Sequence, residues 1–293
     1  MNLSDELRQR PLCAVVPESE WAGIIARVAT LEAQAMVEPP ATVPLLWLQN
    51  FRGEKVPWEA YRVDAPDGHV DVVFSVLNTI IRTTQPKNAQ GKMKSELGLR
   101  EKLGGPLIYK RLQFRKEYWF AISFRLFDWK RDGHKCSIID FHGSEDEKEK
   151  GIGRNASLGL HVGGDDIYQW RLWSKNPTQT ANENRLECFR IPWVSDRWYR
   201  ILYHVWFDCW PVEESGQGYT EIWLDGERVF QEVGPNAYND VLGPYFKFGC
   251  YMPSWQENPP EITSGVEEHI IHWRDLVIGD ARNKLEDFAL KAE

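Results

Sequence analysis

The chain has no apolar run approaching the ~20 residues that a membrane-spanning helix needs, so membrane insertion is not expected. It has no CxxC pair and no Cys/His spacing of the kind that holds zinc. Its cysteines, Cys13, Cys136, Cys188, Cys209 and Cys250, are odd in number, and Cys136, Cys209 and Cys250 sit in apolar runs as buried free thiols do. Positive charge is not in excess. Lys+Arg number 35 against 43 Asp+Glu, a net charge of −8, which argues against a nucleic-acid partner recognised by overall charge. Neither a Gly-rich phosphate loop nor a GxSxG elbow occurs, and no internal repeat or low-complexity segment is visible. The N-terminus, MNLSDELRQR, has acids where a signal peptide carries a basic n-region, and no apolar h-region follows.

Helical patterning is scarce too. Residues 18–36 are the one convincing helix, favoured at its start by Glu18 and Glu20 and stopped by Pro39-Pro40. Ile24, Val28, Leu31 and Ala35 form a short heptad seam, which suits either a helix packed on its own domain or an oligomerising or docking stalk. Residues 1–40 are therefore read as a helical segment and 41–293 as one large domain. After Pro44 the pattern turns to β. Tyr118, Phe120, Ile122, Phe124 and Leu126 alternate along one face, and strands are predicted at 118–128, 136–142, 157–162, 167–173, 197–208, 219–224, 227–233, 245–251 and 269–278. Asp225-Gly226 between two of these runs is a type I′ hairpin signal. Residues 282–293 are read as a short terminal helix. Many strands with little helix predict an all-β sandwich or jelly roll.

The chain is rich in tryptophan, 14 in 293 residues, which fits either a sugar-binding cleft or an aromatic β core. Charge is unevenly spread. Between Arg82 and Lys116 ten basic residues face only Glu96 and Glu101, a local net charge of +8 on an acidic chain. Such a strip, beginning at Arg82, suits a polyanion held in one place, or a set of solvated strand faces.

Three segments carry the chemistry: Lys94-Ser95-Glu96-Leu97, Asp140-Phe141-His142-Gly143 and Tyr245-Phe246-Lys247-Phe248-Gly249-Cys250-Tyr251. Residues two apart in a strand share a face, so Lys94 projects with Glu96, Asp140 with His142, and Tyr245 with Lys247 and Tyr251. If the three strands are neighbours, one face presents cations, an imidazole and phenols. That set can remove a proton next to a carboxylate and return one to a leaving oxygen. Singly, each of these residues is as easily a strand-end or rim residue. His204 and His272, in aromatic strands, are read as structural. Glu221, Asp225 and Glu227 look superficially like paired glycosidase acids, but Asp225 belongs to the hairpin turn.

The order and spacing of the three segments resemble those of the jelly-roll polysaccharide lyases, among them the alginate lyases, with a looser likeness to glucuronan lyases and heparin lyase I. The resemblance spans roughly residues 80–280, and 245–251 is its most specific piece. It implies a concanavalin A-like β-jelly roll, a two-sheet antiparallel sandwich with a short N-terminal helix. It also implies cleavage of a uronic-acid polysaccharide by β-elimination. On that pattern His142 is a proton acceptor, Tyr251 the acid or both acid and base, and Lys247 a supporting cation. Lys94, oriented by Glu96, stands where the family has a carboxylate-binding Arg; Asp140 replaces a Gln; Tyr245 and Arg82 are expected to contact substrate. Lys94 forgoes bidentate recognition, and Asp140 repels a uronate unless paired. The rival reading is a non-catalytic carbohydrate-binding or adhesin module.

No cofactor is expected. Asp165-Asp166 is a candidate calcium pair, but two acids in a loop do not define a site. The expected partner is an acidic polysaccharide, and residues 18–36 are the expected contact for a homo-oligomer or a larger particle. Such polymers lie outside cells, while no secretion signal is visible. This suggests the surface of a phage or phage-like particle, with a cytoplasmic enzyme acting on imported oligosaccharides as the alternative.

Overall fold

A computed structural model of the chain describes residues 47–49, 61–64, 69–74, 79–86, 94–101, 108–109, 111–131, 133–143, 154–176, 184–255 and 266–288. All lie within the unit Leu45–Glu293. The helix expected at 18–36 and the proposed stalk lie outside them. None of the described helices is long and apolar enough to cross a membrane.

Sixteen strands among the described residues, numbered in chain order, form two antiparallel sheets. The first runs β14 (Glu227–Val233), β13 (Tyr219–Leu224), β12 (Trp198–Trp206), β7 (Glu117–Phe127), β16 (Glu268–Asp280), β4 (Thr79–Pro86) and β3 (His69–Phe74), with β1 (Trp47–Gln49) also paired to β16. The second runs β11 (Asn184–Pro192), β10 (Asp166–Trp173), β9 (Ala156–Gly163), β8 (Lys135–His142), β15 (Tyr245–Tyr251), β5 (Lys94–Glu101) and β2 (Tyr61–Asp64), with β6 (Ile108–Tyr109) paired to β5. This is the all-β jelly-roll sandwich that the strand pattern and the resemblance imply.

The period-2 pattern explains how the sheets meet. In β7, Phe120, Ile122, Phe124 and Leu126 are buried in the common core, with Tyr118 packed at its margin. The inward faces of β8 and β15 supply Cys136, Ile139, Phe141, Phe246, Phe248 and Cys250. Phe120 touches Phe141 edge-on, ring centroids 5.0 Å apart, and stacks on Phe246 at 4.9 Å. Each such ring taken from water contributes about 2–3 kcal/mol, so this layer holds the sheets in register. The four described cysteines are free thiols; Cys136 and Cys250 pack with their sulfurs 3.4 Å apart.

The hairpin at Asp225-Gly226 forms as its sequence demands, with φ of 51° and 88° at the two turn residues. Asp225 accepts from the Arg200 amide and from the Arg197 guanidinium, so it serves the turn and not an acid pair. At the C-terminal end the described residues form a single 3₁₀ turn, Leu285–Asp287, in place of the start of a helix.

Candidate functional site

The order β5–β15–β8 makes the three chemistry-bearing segments neighbours. Tyr251 lies opposite Lys94, Gly249 opposite Glu96, Lys247 opposite Asp140, and Tyr245 opposite His142. Because Phe246, Phe248 and Cys250 face the core, the odd-numbered residues of β15 face outward. There they meet a cleft of about 600 Å³ that runs across the strands to β11. Asp140, His142, Lys247 and Tyr251 all line it.

At its centre is a buried charge cluster. The Lys247 ammonium lies 2.8 Å from Glu96 Oε1 and 3.5 Å from Asp140 Oδ2. Burial by itself lowers the Lys247 pKa, but the charges of Glu96 and Asp140 outweigh it and raise the value. Asp140 also accepts a 2.7 Å hydrogen bond from Ser137 Oγ. Pairing therefore offsets only part of the charge at 140, because two carboxylates share one ammonium. Tyr251 stands beside this cluster, its ring centroid 5.7 Å from Lys247 Nζ. Backbone geometry sets that position: Gly249 has φ 151°, and the β15–β8 register shifts between Phe248 and Tyr251.

His142 lies on the other side of the cluster. Its Nδ1 donates to the Gly143 carbonyl at 2.7 Å; a carbonyl only accepts, so the proton sits on Nδ1 and Nε2 carries the lone pair. Burial, then the nearby Lys247 charge, push its pKa down to about 4, against the pull of the Gly143 bond. The imidazole is thus neutral at neutral pH. Tyr245 packs beside it, ring centroids 5.4 Å apart, under the Arg111 guanidinium.

Other expectations are rearranged. Glu96 pairs with Lys247, not with Lys94, because β15 lies directly against β5 and offers it the ammonium. Lys94 is half-buried and opposite Tyr251. Arg82 does not join the site. It lies on β4 of the first sheet, opposite His272, so its expected contact with substrate in this cleft is withdrawn. The basic strip is likewise divided between elements: Arg111 covers Tyr245, and Arg115 pairs with Asp208. Asp165 and Asp166 are each held by an arginine, Arg131 and Arg190. His204 sits between Glu117 and Glu221 on the first sheet, stacked on Trp119.

Several cleft residues were not anticipated. His161 on β9, Tyr168 and Trp170 on β10, and Arg185 and Arg190 on β11 form its far wall. Tyr168 lies opposite both His161 and Arg190, and Trp170 opposite Gly159. The available signal was parity. His161, Tyr168 and Trp170 flank a two-residue Gly164-Asp165 turn and fall on the face opposite the apolar Leu160, Val162 and Ile167.

The second sheet of this jelly-roll sandwich thus carries a cleft lined by a buried lysine–carboxylate cluster, a neutral imidazole and a phenol. The polysaccharide lyase family model matches residues 52–276, and the chain belongs to that family. Among solved structures it is similar to an endo-β-1,4-glucuronan lyase from the fungus Trichoderma reesei, with 17% identity and a TM-score of 0.64 over 80% of this chain and 95% of that one. It is also similar to the binding domain of botulinum neurotoxin serotype C1, with 11% identity and a TM-score of 0.50 over 80% of this chain and 48% of that one. Similarity to the cellulose-induced protein Cip1 is weaker, with 13% identity and a TM-score of 0.48 over 80% and 96% of the two chains. At these identities the likeness is one of fold. No curated protein matches in sequence.

Proposed function

We propose that the protein binds a uronic-acid polysaccharide across the second sheet and cleaves it by β-elimination. The observation that carries this reading is the neutral His142, which lines the cleft on the same strand pair as Tyr251 and Lys247. In the reaction the C5–H bond of the uronate breaks and its proton passes to the base. The electron pair forms the C4–C5 double bond, and the C4–O bond breaks as a proton reaches the departing oxygen. We assign each step to a group of the cleft. His142 accepts the C5 proton, or the Tyr251 phenolate does after the phenol has released its proton to solvent. Tyr251 returns a proton to the leaving oxygen. Lys94, opposite Tyr251, supplies positive charge for the carboxylate as it gains enolate character.

A second reading, binding without cleavage, is favoured by Lys94 in place of an arginine and by the second acid at 140. The deciding experiment is ultraviolet absorbance with alginate, polyglucuronate and heparin-type polymers, since elimination creates an unsaturated uronate. Tyr251→Phe is expected to abolish the absorbance rise while leaving polymer affinity nearly unchanged, because the ring stays and only the proton-moving oxygen is lost. Unchanged turnover in this variant removes Tyr251 from the chemistry. Affinity without any absorbance rise in the unmodified protein selects the binding module.

A further inference from the structure

The cleft extends well past the proposed reaction centre, and its far end has a different electrostatic character. The central ammonium of Lys247 is shared by Glu96 and Asp140, and Arg190 is taken by Glu187 and Asp166. Two cations of the cleft, Lys135 and Arg185, have no carboxylate within ion-pair distance among the described residues. The Arg185 guanidinium instead lies 3.4 Å from the centroid of the Trp170 ring. A guanidinium this close to an indole is held by cation–π attraction, and its planar fork of N–H groups matches a carboxylate. Close by, His161 is only 6% exposed, and its buried Nδ1 has no hydrogen-bond partner. His161 lines the cleft, where a buried polar atom without a partner is completed by ordered water or by a polar ligand atom.

We propose that Arg185 seated on Trp170, with Lys135 and His161 beside it, forms a remote uronate-binding subsite that makes the enzyme select long acidic chains. This deepens the lyase reading and rests on it for the identity of the polymer. The spacing supplies the length requirement. From β15, which carries Tyr251, to β10 and β11, which carry Trp170 and Arg185, there are three to four strand intervals of the second sheet. At about 4.8 Å each, that is about 14–19 Å. A sugar unit of an extended chain advances by about one strand spacing, so the subsite lies about three units from the reacting sugar. A disaccharide at the reaction centre does not reach it, and a hexasaccharide does.

The test is calorimetric binding of glucuronate di- and hexasaccharides, and of a carboxyl-reduced hexasaccharide, to full-length protein. Tyr251→Phe serves as the background so that ligand is not consumed. Adding Arg185→Ala is expected to weaken hexasaccharide binding about ten-fold or more, the loss of one charge-assisted pair, while leaving disaccharide binding unchanged. Arg185→Lys is expected to fall in between, since it keeps charge but loses the fork. Carboxyl-reduced hexasaccharide is expected to be indifferent to the change. Arg185 is exposed on the edge strand β11, so the fold tolerates its loss; a thermal melt checks this, and Trp170→Phe, which keeps an apolar ring, is the second variant. Equal weakening of both lengths, or none, overturns the subsite. If Arg185-dependent binding is found but unmodified protein produces no unsaturated uronate, the subsite stands and the lyase reading falls. Cleavage with Arg185-independent binding has the reverse meaning, and no binding of any oligosaccharide overturns both.

Discussion

Asp140 stands where the resemblance drawn from the sequence implies a glutamine. Its carboxylate is buried, accepts from Ser137 Oγ, and lies 3.5 Å from an ammonium that Glu96 already holds at 2.8 Å. The cluster therefore holds two carboxylates against one ammonium, an excess of negative charge that disfavours the proposed uronate substrate. Asparagine at this position keeps an oxygen for Ser137 and leaves a neutral Lys247–Glu96 pair. Asp140→Asn is thus expected to lower KM for an acidic polymer several-fold, with kcat preserved or raised. Steady-state kinetics by absorbance decide it, and a collapse of kcat shows that Asp140 takes part in proton transfer. Much of this site is legible in the sequence, because His142, Lys247 and Tyr251 stand at fixed strand parity. The role of Glu96 is not, since its partner comes from a strand about 150 positions away. Nor is the part played by Gly159. A Cβ there meets His161 Nε2 at 2.8 Å and Asp140 Oδ1 at 3.2 Å, so a missing side chain makes room for two cleft residues.

At the scale of the element, β15 shows how tightly one strand can be specified. Its bounds, Tyr245–Tyr251, are those that alternation and the flanking residues predict. Its glycine is demanded by contact as well as conformation: φ at Gly249 is 151°, and a Cβ would lie 2.3 Å from the Ser95 carbonyl oxygen and 2.6 Å from the Glu96 Cα. Those are backbone atoms of β5 and cannot swing aside. Gly249→Ala is expected to cost about 2–4 kcal/mol of stability and to abolish turnover, because relief requires β15 to move off β5 and pull Lys247 from Glu96. Urea unfolding with an activity assay checks both; a stable, active variant means that the close approach is not needed. Among the strands that alternation did not predict, the one that lines the cleft is β11, Asn184–Pro192. Its cleft face carries Arg185, Glu187 and Arg190, so its composition reads as a solvated loop. A register shift against β10 between Gln169 and Trp170 goes with a break in the alternation of Leu186, Cys188, Phe189 and Ile191. The same charges that hid the strand are the ones that equip the cleft.

For the whole molecule, the all-β class and nine of the sixteen described strands were readable because a sandwich imposes period 2 on those segments. What periodicity does not carry is the sheet to which each strand belongs, which is why Arg82 was expected in the cleft and lies on the opposite sheet. The sandwich also buries imidazoles on both sheets, which ties stability to pH. His142 on the second sheet and His272 on the first are both held down to about 4 from 6.5, each chiefly by burial. His161 is lowered as well, by burial and then by Lys135 and Arg185. At His272 the neutral ring faces Arg125 Nη2 at 2.7 Å, and both Arg125 and Arg82 oppose its charging. A folded-state pKa below the unfolded value means that the unfolded chain binds protons more readily. The stability these histidines contribute is therefore complete above about pH 6.5 and is lost as pH falls toward 4. The urea midpoint is expected to decline through that window, before most carboxylates titrate. His272→Gln, whose amide oxygen still accepts from Arg125, is expected to flatten the decline without changing turnover at neutral pH, since the first sheet carries no part of the cleft. Turnover of the unmodified protein should follow a different curve, rising with the deprotonation of His142 near pH 4 and holding level above it. If the midpoint is flat between pH 6.5 and 4, or if His272→Gln leaves its slope unaltered, burial of the neutral rings is not what makes the fold acid-sensitive.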